Sequence, residues 1–130
     1  MKRILVTGLL TFAINGSVIA SDSLFTEQFS VCMDKSEGVT SAMLNCIRAE
    51  TTIQDARLNA TYKKLREQLT PERKVELRDV QRIWIQYRDA NCSFYADPDG
   101  GTLATVMSND CVLQETATRA KELEDFLVNH

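Results

Sequence analysis

The sequence predicts an all-α protein, a small bundle of about four helices held together by two disulfides. Apolar residues recur at intervals of three and four along the chain, which is the period of a helix with one buried face. The few β-branched residues never alternate over the length of a strand, so a sheet is not expected. The cysteines number four, and an even count in an exported chain predicts disulfide pairs.

The first twenty residues are predicted to be a secretory signal peptide. The basic pair Lys2-Arg3 precedes an apolar run at residues 4–14 that is too short to cross a bilayer, and small residues lead to a cleavage point after Ala20. An uncleaved N-terminal membrane anchor is the alternative. Residues 21–130 are then expected to form one helical domain, periplasmic or secreted, with no membrane anchor once the leader is removed.

Caps and helix breakers divide the domain into its predicted helices. Thr70-Pro71-Glu72 is a strong start, because a capping hydroxyl precedes proline at the first helical position and an acid in the first turn. Glu37-Gly38 interrupts the chain earlier, and Asp97-Pro98-Asp99-Gly100-Gly101 forbids a helix through the loop at residues 93–102. The predicted helices cover residues 23–35, a segment capped by Thr40 or Ser41 and reaching 69, 71–92 and 102–128.

The same periodicity predicts which side chains face inward. In the first two helices they are Leu24, Phe25, Phe29 and Cys32, then Ile47, Leu58, Tyr62, Leu65 and Leu69, with Thr51 and Gln54 as the weak middle of the stripe. In the last two they are Leu77, Val80, Trp84 and Arg88, then Leu103, Val106, Leu113, Ala117, Ala120, Leu123 and Leu127. A domain this small is only marginally stable on its core alone.

The four cysteines can pair in three ways. We favour Cys32–Cys46 and Cys92–Cys111, because each pair closes a short loop between neighbouring helices. A closed loop of about fifteen residues contributes roughly 3 kcal/mol in the chain-entropy model. Zinc is not expected, since there is no Cys-x-x-Cys pair and the only histidine is His130 at the C-terminus. We therefore predict neither a metal site nor a cofactor.

The charge of the chain limits its partners. The formal net charge is −3, and loss of Lys2 and Arg3 with the leader leaves −5 over residues 21–130. Nucleic acid is not expected as a ligand, because binding it needs clustered Lys and Arg to neutralise phosphates. An acidic balance instead permits attraction to a basic partner.

The densest motif lies at residues 81–92 and holds the only tryptophan, an Arg-Asp pair and one cysteine. We expect Trp84 to anchor the core and Arg88, one turn later, to point into the buried seam. A partly buried arginine needs acceptors, which Asp55, Asn59 or helix-terminal carbonyls would supply. Direct contact of Arg88 with a ligand is the alternative.

Three more polar residues receive structural predictions. Asp89 projects away from Arg88 and is expected to pair with Arg82 or to cap the loop region. Asn59 and Tyr62 are expected to form a buried polar pair and not a binding site.

Three clusters together resemble the LprI-like lysozyme inhibitor family, small secreted helical domains long catalogued as a domain of unknown function. The clusters are Leu58-Asn59 with Tyr62 and Leu65, then Gln81-Arg82 with Trp84, Arg88-Asp89-Ala90 and Cys92, then Gly100-Gly101-Thr102 with Cys111, Thr116, Arg119 and Leu123. The resemblance extends over residues 32–127. It implies an exported helical domain without a cofactor, and it supplies no catalytic residues. Some relatives are lipid-anchored, whereas this chain has no cysteine at the cleavage point.

The loop at residues 93–102 is the predicted partner-binding segment. The proposed bridge between Cys92 and Cys111 confines it and so reduces the ordering cost of binding. An ordinary helix connection whose aromatic residues close the bundle is the alternative. The side chains expected to anchor an interface or to meet cationic groups are Phe94, Tyr95, Asp97 and Asp99.

These features predict a protein-binding module and not an enzyme. The resemblance implies inhibition of a lysozyme, a basic protein in its common animal type, by occlusion of the substrate cleft. Acid–base catalysis is disfavoured because the only histidine is terminal and the cysteines are expected to be oxidised. An immunity or envelope-stress protein that neutralises another exported toxin, or a structural envelope protein, is the alternative.

Overall fold

The computed structural model describes residues 23–129, and within that range the chain forms helices and no strand. The helices make up 85% of the described residues, which confirms the all-α prediction. The predicted signal peptide, residues 1–20, lies outside the described residues. The elements are α1 (Glu27–Lys35), α2 (Thr40–Gln68), α3 (Pro71–Phe94) and α4 (Gly101–Asn129).

The start of α1 is set by Thr26 and not by residue 23 as predicted. The Thr26 Oγ1 accepts a hydrogen bond from the Phe29 N–H at 3.2 Å, which satisfies one of the free amides at the helix start. Phe25 and Phe29 lie on either side of this cap with ring centroids 5.3 Å apart, in an edge-to-face contact. The aromatic pair fixes the direction in which the chain enters the helix.

The cap predicted for α2 is wrong. Glu37 and Gly38 adopt φ of 48° and 77° and turn the chain so that Val39 is extended. Val39 thus occupies the cap position without a side-chain hydrogen bond, while Thr40 and Ser41 lie inside the helix. The helix therefore begins at Thr40, and neither the Thr40 nor the Ser41 hydroxyl stands at the capping position.

The remaining helix boundaries lie closer to those predicted from caps and helix-breaking residues. Thr70 caps α3, because its Oγ1 accepts from the Arg73 N–H at 3.4 Å, and Pro71 is the first helical residue. Helix α3 continues to Phe94 and α4 begins at Gly101, so the loop between them is shorter than predicted.

The two longest helices, α2 and α4, pack against each other along most of their length, while α1 packs on α2 and α3 on α4. Ala117 and Ala120 are fully buried on α4, and their small side chains allow the two helix axes to approach closely. The central cluster consists of Leu58, Leu65, Ala120 and Leu123, with Tyr62, Leu69, Leu77, Trp84 and Leu127 packed around it. None of the four helices in the described range has the length and apolar character that a membrane span requires.

Both predicted disulfides are present. Cys32–Cys46 joins α1 to α2 with the Cα atoms 5.7 Å apart, and Cys92–Cys111 joins α3 to α4 at 5.4 Å. Each bridge therefore ties an outer helix to one member of the central pair.

A buried polar network links the N-terminal segment to α2 and α4. Glu50 is 2% exposed, and its carboxylate accepts from the Thr26 N–H at 2.9 Å, the Thr26 hydroxyl at 2.6 Å and Gln54 Nε2 at 2.7 Å. Gln54 Oε1 accepts in turn from Arg57, whose guanidinium binds Glu124 on α4 through two nitrogens. The middle of α2, which was predicted to be the weak part of a hydrophobic stripe, therefore belongs to a second core that is polar.

Two residues predicted to face inward lie on the surface. Val80 is half exposed on α3, and Leu103 lies outside the core at the start of α4. The physical reason on α3 is that its bundle-facing stripe runs through Leu77 and Trp84, which turns Val80 toward solvent.

Candidate partner-binding surface

The loop between α3 and α4 is a compact turn organised by Asp97. Its Oδ1 accepts a hydrogen bond from the Asp99 N–H at 2.9 Å, and its carbonyl accepts one from the Gly100 N–H at 3.0 Å. Gly100 is required, because a Cβ at this position would lie 2.7 Å from the Cβ of Ala104. Asp97 therefore shapes the loop as well as contributing charge to its surface.

Both ends of the loop are attached to the bundle. Cys92 is buried in its disulfide with Cys111. The Ser108 hydroxyl donates to the Cys92 carbonyl at 2.9 Å and adds a second link between α3 and α4. A loop held in this way loses little conformational entropy when a partner binds.

Large apolar side chains are exposed around this loop. Phe94 is 85% exposed, and its ring contacts that of Tyr95 edge to face with centroids 6.5 Å apart. Leu103 is 63% exposed, and Met107 is exposed one turn further along α4. We name this region the tip surface, which consists of Phe94, Tyr95, Asp97, Asp99, Leu103 and Met107.

Two shallow grooves of about 280 Å³ each lie on the tip surface and the adjoining turns of α4. They share Tyr95 and Met107 and are therefore contiguous. Burial raises the pKa of Asp110 above its usual range, and a hydrogen bond with Gln114 opposes that effect. None of the residues that line either groove is basic. The further lining residues are Phe94, Asp97, Gly100, Leu103 and Ala104 in one groove and Asn91, Asp110, Cys111, Gln114 and Glu115 in the other.

The acidic character of this end is the signal that the predictions from sequence missed. Residues 89–118 contain five Asp and Glu and no Lys, Arg or His. The rest of residues 21–130 carries thirteen residues of each sign, and one of them, Arg88, lies next to the segment and pairs with Asp89. Because the segment forms the tip surface and its two grooves, negative charge and exposed apolar area coincide at one end of the bundle.

A family model whose description is lysozyme inhibitor LprI matches residues 32–123. The chain belongs to the LprI family. The description of this family names inhibition of lysozyme and no enzymatic activity. The LprI match includes all four cysteines and the complete tip surface. No match was found among curated proteins or among solved structures.

In this LprI chain, Arg88 is a structural residue with partners other than those predicted. Its guanidinium lies over the Trp84 ring, 5.1 Å from the centroid, and its Nη1 donates to Thr116 Oγ1 at 3.4 Å. The predicted acceptors Asp55 and Asn59 are not its partners, because Arg88 faces α4 and not α2. Trp84 packs on the central cluster, as expected.

The other polar predictions are corrected by the same geometry. Asp89 pairs with its neighbour Arg88, whose Nε and Nη2 donate at 2.9 and 2.8 Å, and not with the exposed Arg82. Asn59 is exposed and donates to Asp55 Oδ2 at 3.1 Å, so it forms no buried pair with Tyr62. Tyr62 is half-buried, and the Arg66 guanidinium lies over its ring at 5.8 Å.

A larger groove of about 510 Å³ lies at the opposite end of the LprI domain. Its lining contains one carboxylate, Glu76, which pairs with Arg73, so it offers no pair of carboxylates for acid–base chemistry. Within residues 23–129, no three His, Cys, Asp or Glu side chains form a group that could hold a metal ion. The lining residues are Leu65, Gln68, Leu69, Arg73, Glu76, Leu77, Val80, Arg119, Leu123 and Phe126.

Proposed function

We propose that this chain inhibits a basic lysozyme by placing its tip surface over the substrate cleft, in the periplasm or outside the cell. Membership of the LprI family supports the class of activity. The observation that carries the choice of surface is that the tip surface and its grooves hold four carboxylates, Asp97, Asp99, Asp110 and Glu115, and no basic residue. A basic partner is therefore attracted to this end of the bundle and not to the bundle as a whole.

Apolar contact supplies the short-range part of the proposed interaction. An aromatic side chain buries about 150–250 Å² when it is fully covered, and Phe94 has most of that area exposed in the free protein. Exposed aromatic residues at the centre of an interface are frequent energetic hot spots. The acidic residues would then determine the association rate and orientation, and Phe94 with Tyr95 would slow dissociation.

The inhibition test uses the full chain, expressed for export and purified in its oxidised form. Lysis of a peptidoglycan suspension by a basic animal-type lysozyme is followed by turbidity. We expect a dose-dependent fall in the lysis rate that weakens as salt is added, because screening reduces attraction between surface charges. An unchanged lysis rate with the oxidised chain in large molar excess would sink the proposal.

Matched variants locate the surface. Phe94→Ala removes the most exposed aromatic ring of the tip, while Val128→Ala removes a comparably exposed apolar side chain near the far end of α4. We expect at least about a tenfold loss of inhibition for the first, as for a hot-spot residue, and none for the second. Asp99→Asn, at an exposed acid of the tip surface, should reduce the salt dependence, whereas Glu67→Gln at an exposed acid of α2 should not. Equal effects of the tip variants and their controls would contradict the assignment of the surface.

A further inference from the structure

The groove of about 510 Å³ opposite the tip surface lies between the end of α2, the start of α3 and the last turns of α4. Its volume falls within the range of about 300–1,000 Å³ that is usual for small-molecule sites. We name it the far groove, defined by the residues that line it. Its apolar walls consist of Leu65, Leu69, Leu77, Val80, Leu123 and Phe126.

The far groove is long and narrow. Its lining extends from Arg73 to Val80 on α3 and from Arg119 to Phe126 on α4, and seven residues of helix correspond to about 10 Å. A helix about 10 Å across would occupy roughly 800 Å³ over that length, which is more than the groove provides. A single alkyl chain is thinner than a helix and can enter the groove along its length.

A guanidinium with unused donors lies at one end of the far groove. The Arg119 side chain is only 11% exposed. Its Nε donates to Gln81 Oε1 at 3.1 Å, which places it at the Val80 end, and its Nη1 donates to Glu122 Oε2 at 2.9 Å. A guanidinium has five N–H donors, and no other acceptor within residues 23–129 uses the remaining three. Arg119 is therefore held in place and can still bind a carboxylate or phosphate through two parallel hydrogen bonds.

The charges around the far groove favour an anionic headgroup. The lining holds two arginines and one carboxylate, Glu76, which pairs with Arg73. A cationic headgroup would find no carboxylate in the lining that lacks a cationic partner. Glu122 pairs with Arg119 but is 53% exposed, and exposed ion pairs contribute little to stability. A ligand can therefore share the guanidinium with Glu122.

We propose that the far groove binds a free fatty acid, with its carboxylate on Arg119 and its alkyl chain along the apolar walls toward Leu69. Binding removes the apolar surface of the chain from water, and the guanidinium pairs with the charged end. A recess between helices receives one chain that has left a bilayer and does not match the surface of a bilayer. Gln81 and Arg119, to which the proposed function gives no role, would form the headgroup site.

Isothermal titration calorimetry on the exported, oxidised full chain tests the proposal with decanoate, decylammonium and decyl phosphate as monomers. We expect one decanoate to bind per chain, at least about tenfold more tightly than decylammonium, because a hydrogen bond to a charged group contributes about that factor. Vesicles of an anionic phospholipid form a separate arm and should not bind. The far groove and the tip surface lie at opposite ends, so these outcomes do not depend on inhibition of lysozyme.

Matched variants locate the bound chain. Val80→Trp places a large ring in the far groove and should weaken decanoate binding at least about tenfold, the loss expected when a contact of about 1.4 kcal/mol is removed. Val75→Trp should leave binding unchanged, because Val75 is 47% exposed on the same helix, close to the 50% of Val80, but lies outside the lining. Circular dichroism shows whether each variant keeps its helices.

Variants of Arg119 test the headgroup site. Arg119→Gln should abolish the preference for decanoate over decylammonium, and Arg119→Lys should retain it, because lysine keeps the charge. Arg82→Gln, at an exposed arginine of α3 outside the lining, should retain it as well.

Four results would overturn the proposal. The first is an absence of saturable decanoate binding at about 1 mM, the weak limit of the affinity scale. The second is equal binding of decanoate and decylammonium, which would show an apolar gap without a headgroup site. The third is tighter binding of decyl phosphate or of the vesicles, which would assign the groove to a phosphate-bearing lipid or a membrane. The fourth is decanoate binding that Val80→Trp leaves unchanged, which would place the acid elsewhere.

Discussion

Replacement of Glu50 by alanine should destabilise the protein more than any surface substitution, although Glu50 is remote from the tip surface. Its carboxylate is almost fully buried and accepts three hydrogen bonds, two from Thr26 and one from Gln54. The substitution therefore removes the contact that attaches the start of α1 to the middle of α2.

The expected cost can be worked out from these contacts. Alanine retains the Cβ, so the substitution removes one methylene together with the carboxylate, and that methylene contributes about 0.8 kcal/mol. Loss of the charge-assisted hydrogen bonds adds about 2–3 kcal/mol. This is less than the loss of three full bonds, because the Thr26 groups can bind water in the variant, whereas Gln54 stays buried and loses this acceptor. The total of about 3–4 kcal/mol is a large share of the 5–15 kcal/mol that usually stabilises a domain.

Urea unfolding followed by circular dichroism at 222 nm measures this cost as the difference in extrapolated free energy of unfolding. Glu67→Ala is the matched control, since Glu67 is exposed on the same helix, and its change should stay within about 0.5 kcal/mol. Glu50→Gln should cost about 1–3 kcal/mol, because it keeps the volume but turns one acceptor into a donor. A Glu50→Ala loss no larger than that of Glu67→Ala would refute the structural role of the carboxylate.

Three further predictions concern the bridge, the core and the α2–α4 ion pair. Replacing Cys92 and Cys111 together by serine should lower the free energy of unfolding in urea by about 3 kcal/mol, as expected for a sequence separation of 19; a loss under about 1 kcal/mol would contradict it. Leu123→Ala should cost about 2–5 kcal/mol in thermal unfolding, since Leu123 is fully buried, and a change near zero would place it outside the core. The hydrogen bond from Arg57 lowers the pKa of Glu124 below its usual 4.5, so this pair stabilises the fold above pH 4.5 and its contribution falls as pH drops through the folded-state pKa. Glu124→Gln should therefore be less stable than the parent at pH 7 and approach it in acid, and a pH-independent difference would argue against the pair.

The helices and disulfides were predictable because their signals are local. Thr70-Pro71 starts α3 in the structure as in the sequence, and the proline and glycines at 98–101 end it close to the predicted position. The cysteine spacing favoured the pairing that the structure has. Each of these signals acts within a few turns of helix, so no tertiary information was needed.

The buried polar core was not predictable in the same way. Glutamate is rarely buried unless it is paired, and the partner that accompanies the burial of Glu50 is Thr26, which is 24 positions away in the chain. The prediction that Val80 faces inward was wrong for a related reason. Helix α3 has two apolar stripes, and periodicity alone does not say which of them faces α4. In the structure Leu77 and Trp84 pack in the bundle, and Val80 is left half exposed on α3.

Part of the candidate site was within reach of the sequence. The aromatic residues Phe94 and Tyr95 are exposed on the predicted loop, and the role of that loop in binding stays a prediction. The acidic segment at residues 89–118 is visible in the distribution of charged residues along the chain, so the sequence alone was enough to predict it. The contact of Arg88 with Thr116 could not, since it depends on how α3 and α4 pack.

The placement of the two disulfides has a consequence for which part of the domain depends on oxidation. Neither bridge joins α2 to α4; each fastens an outer helix to that pair. Under reducing conditions the central pair can still form by burial of its apolar faces, and α3 keeps its packing on α4 but loses the covalent link beside its loop. We therefore expect reduction of the Cys92–Cys111 bridge to loosen the tip surface before the central pair unfolds.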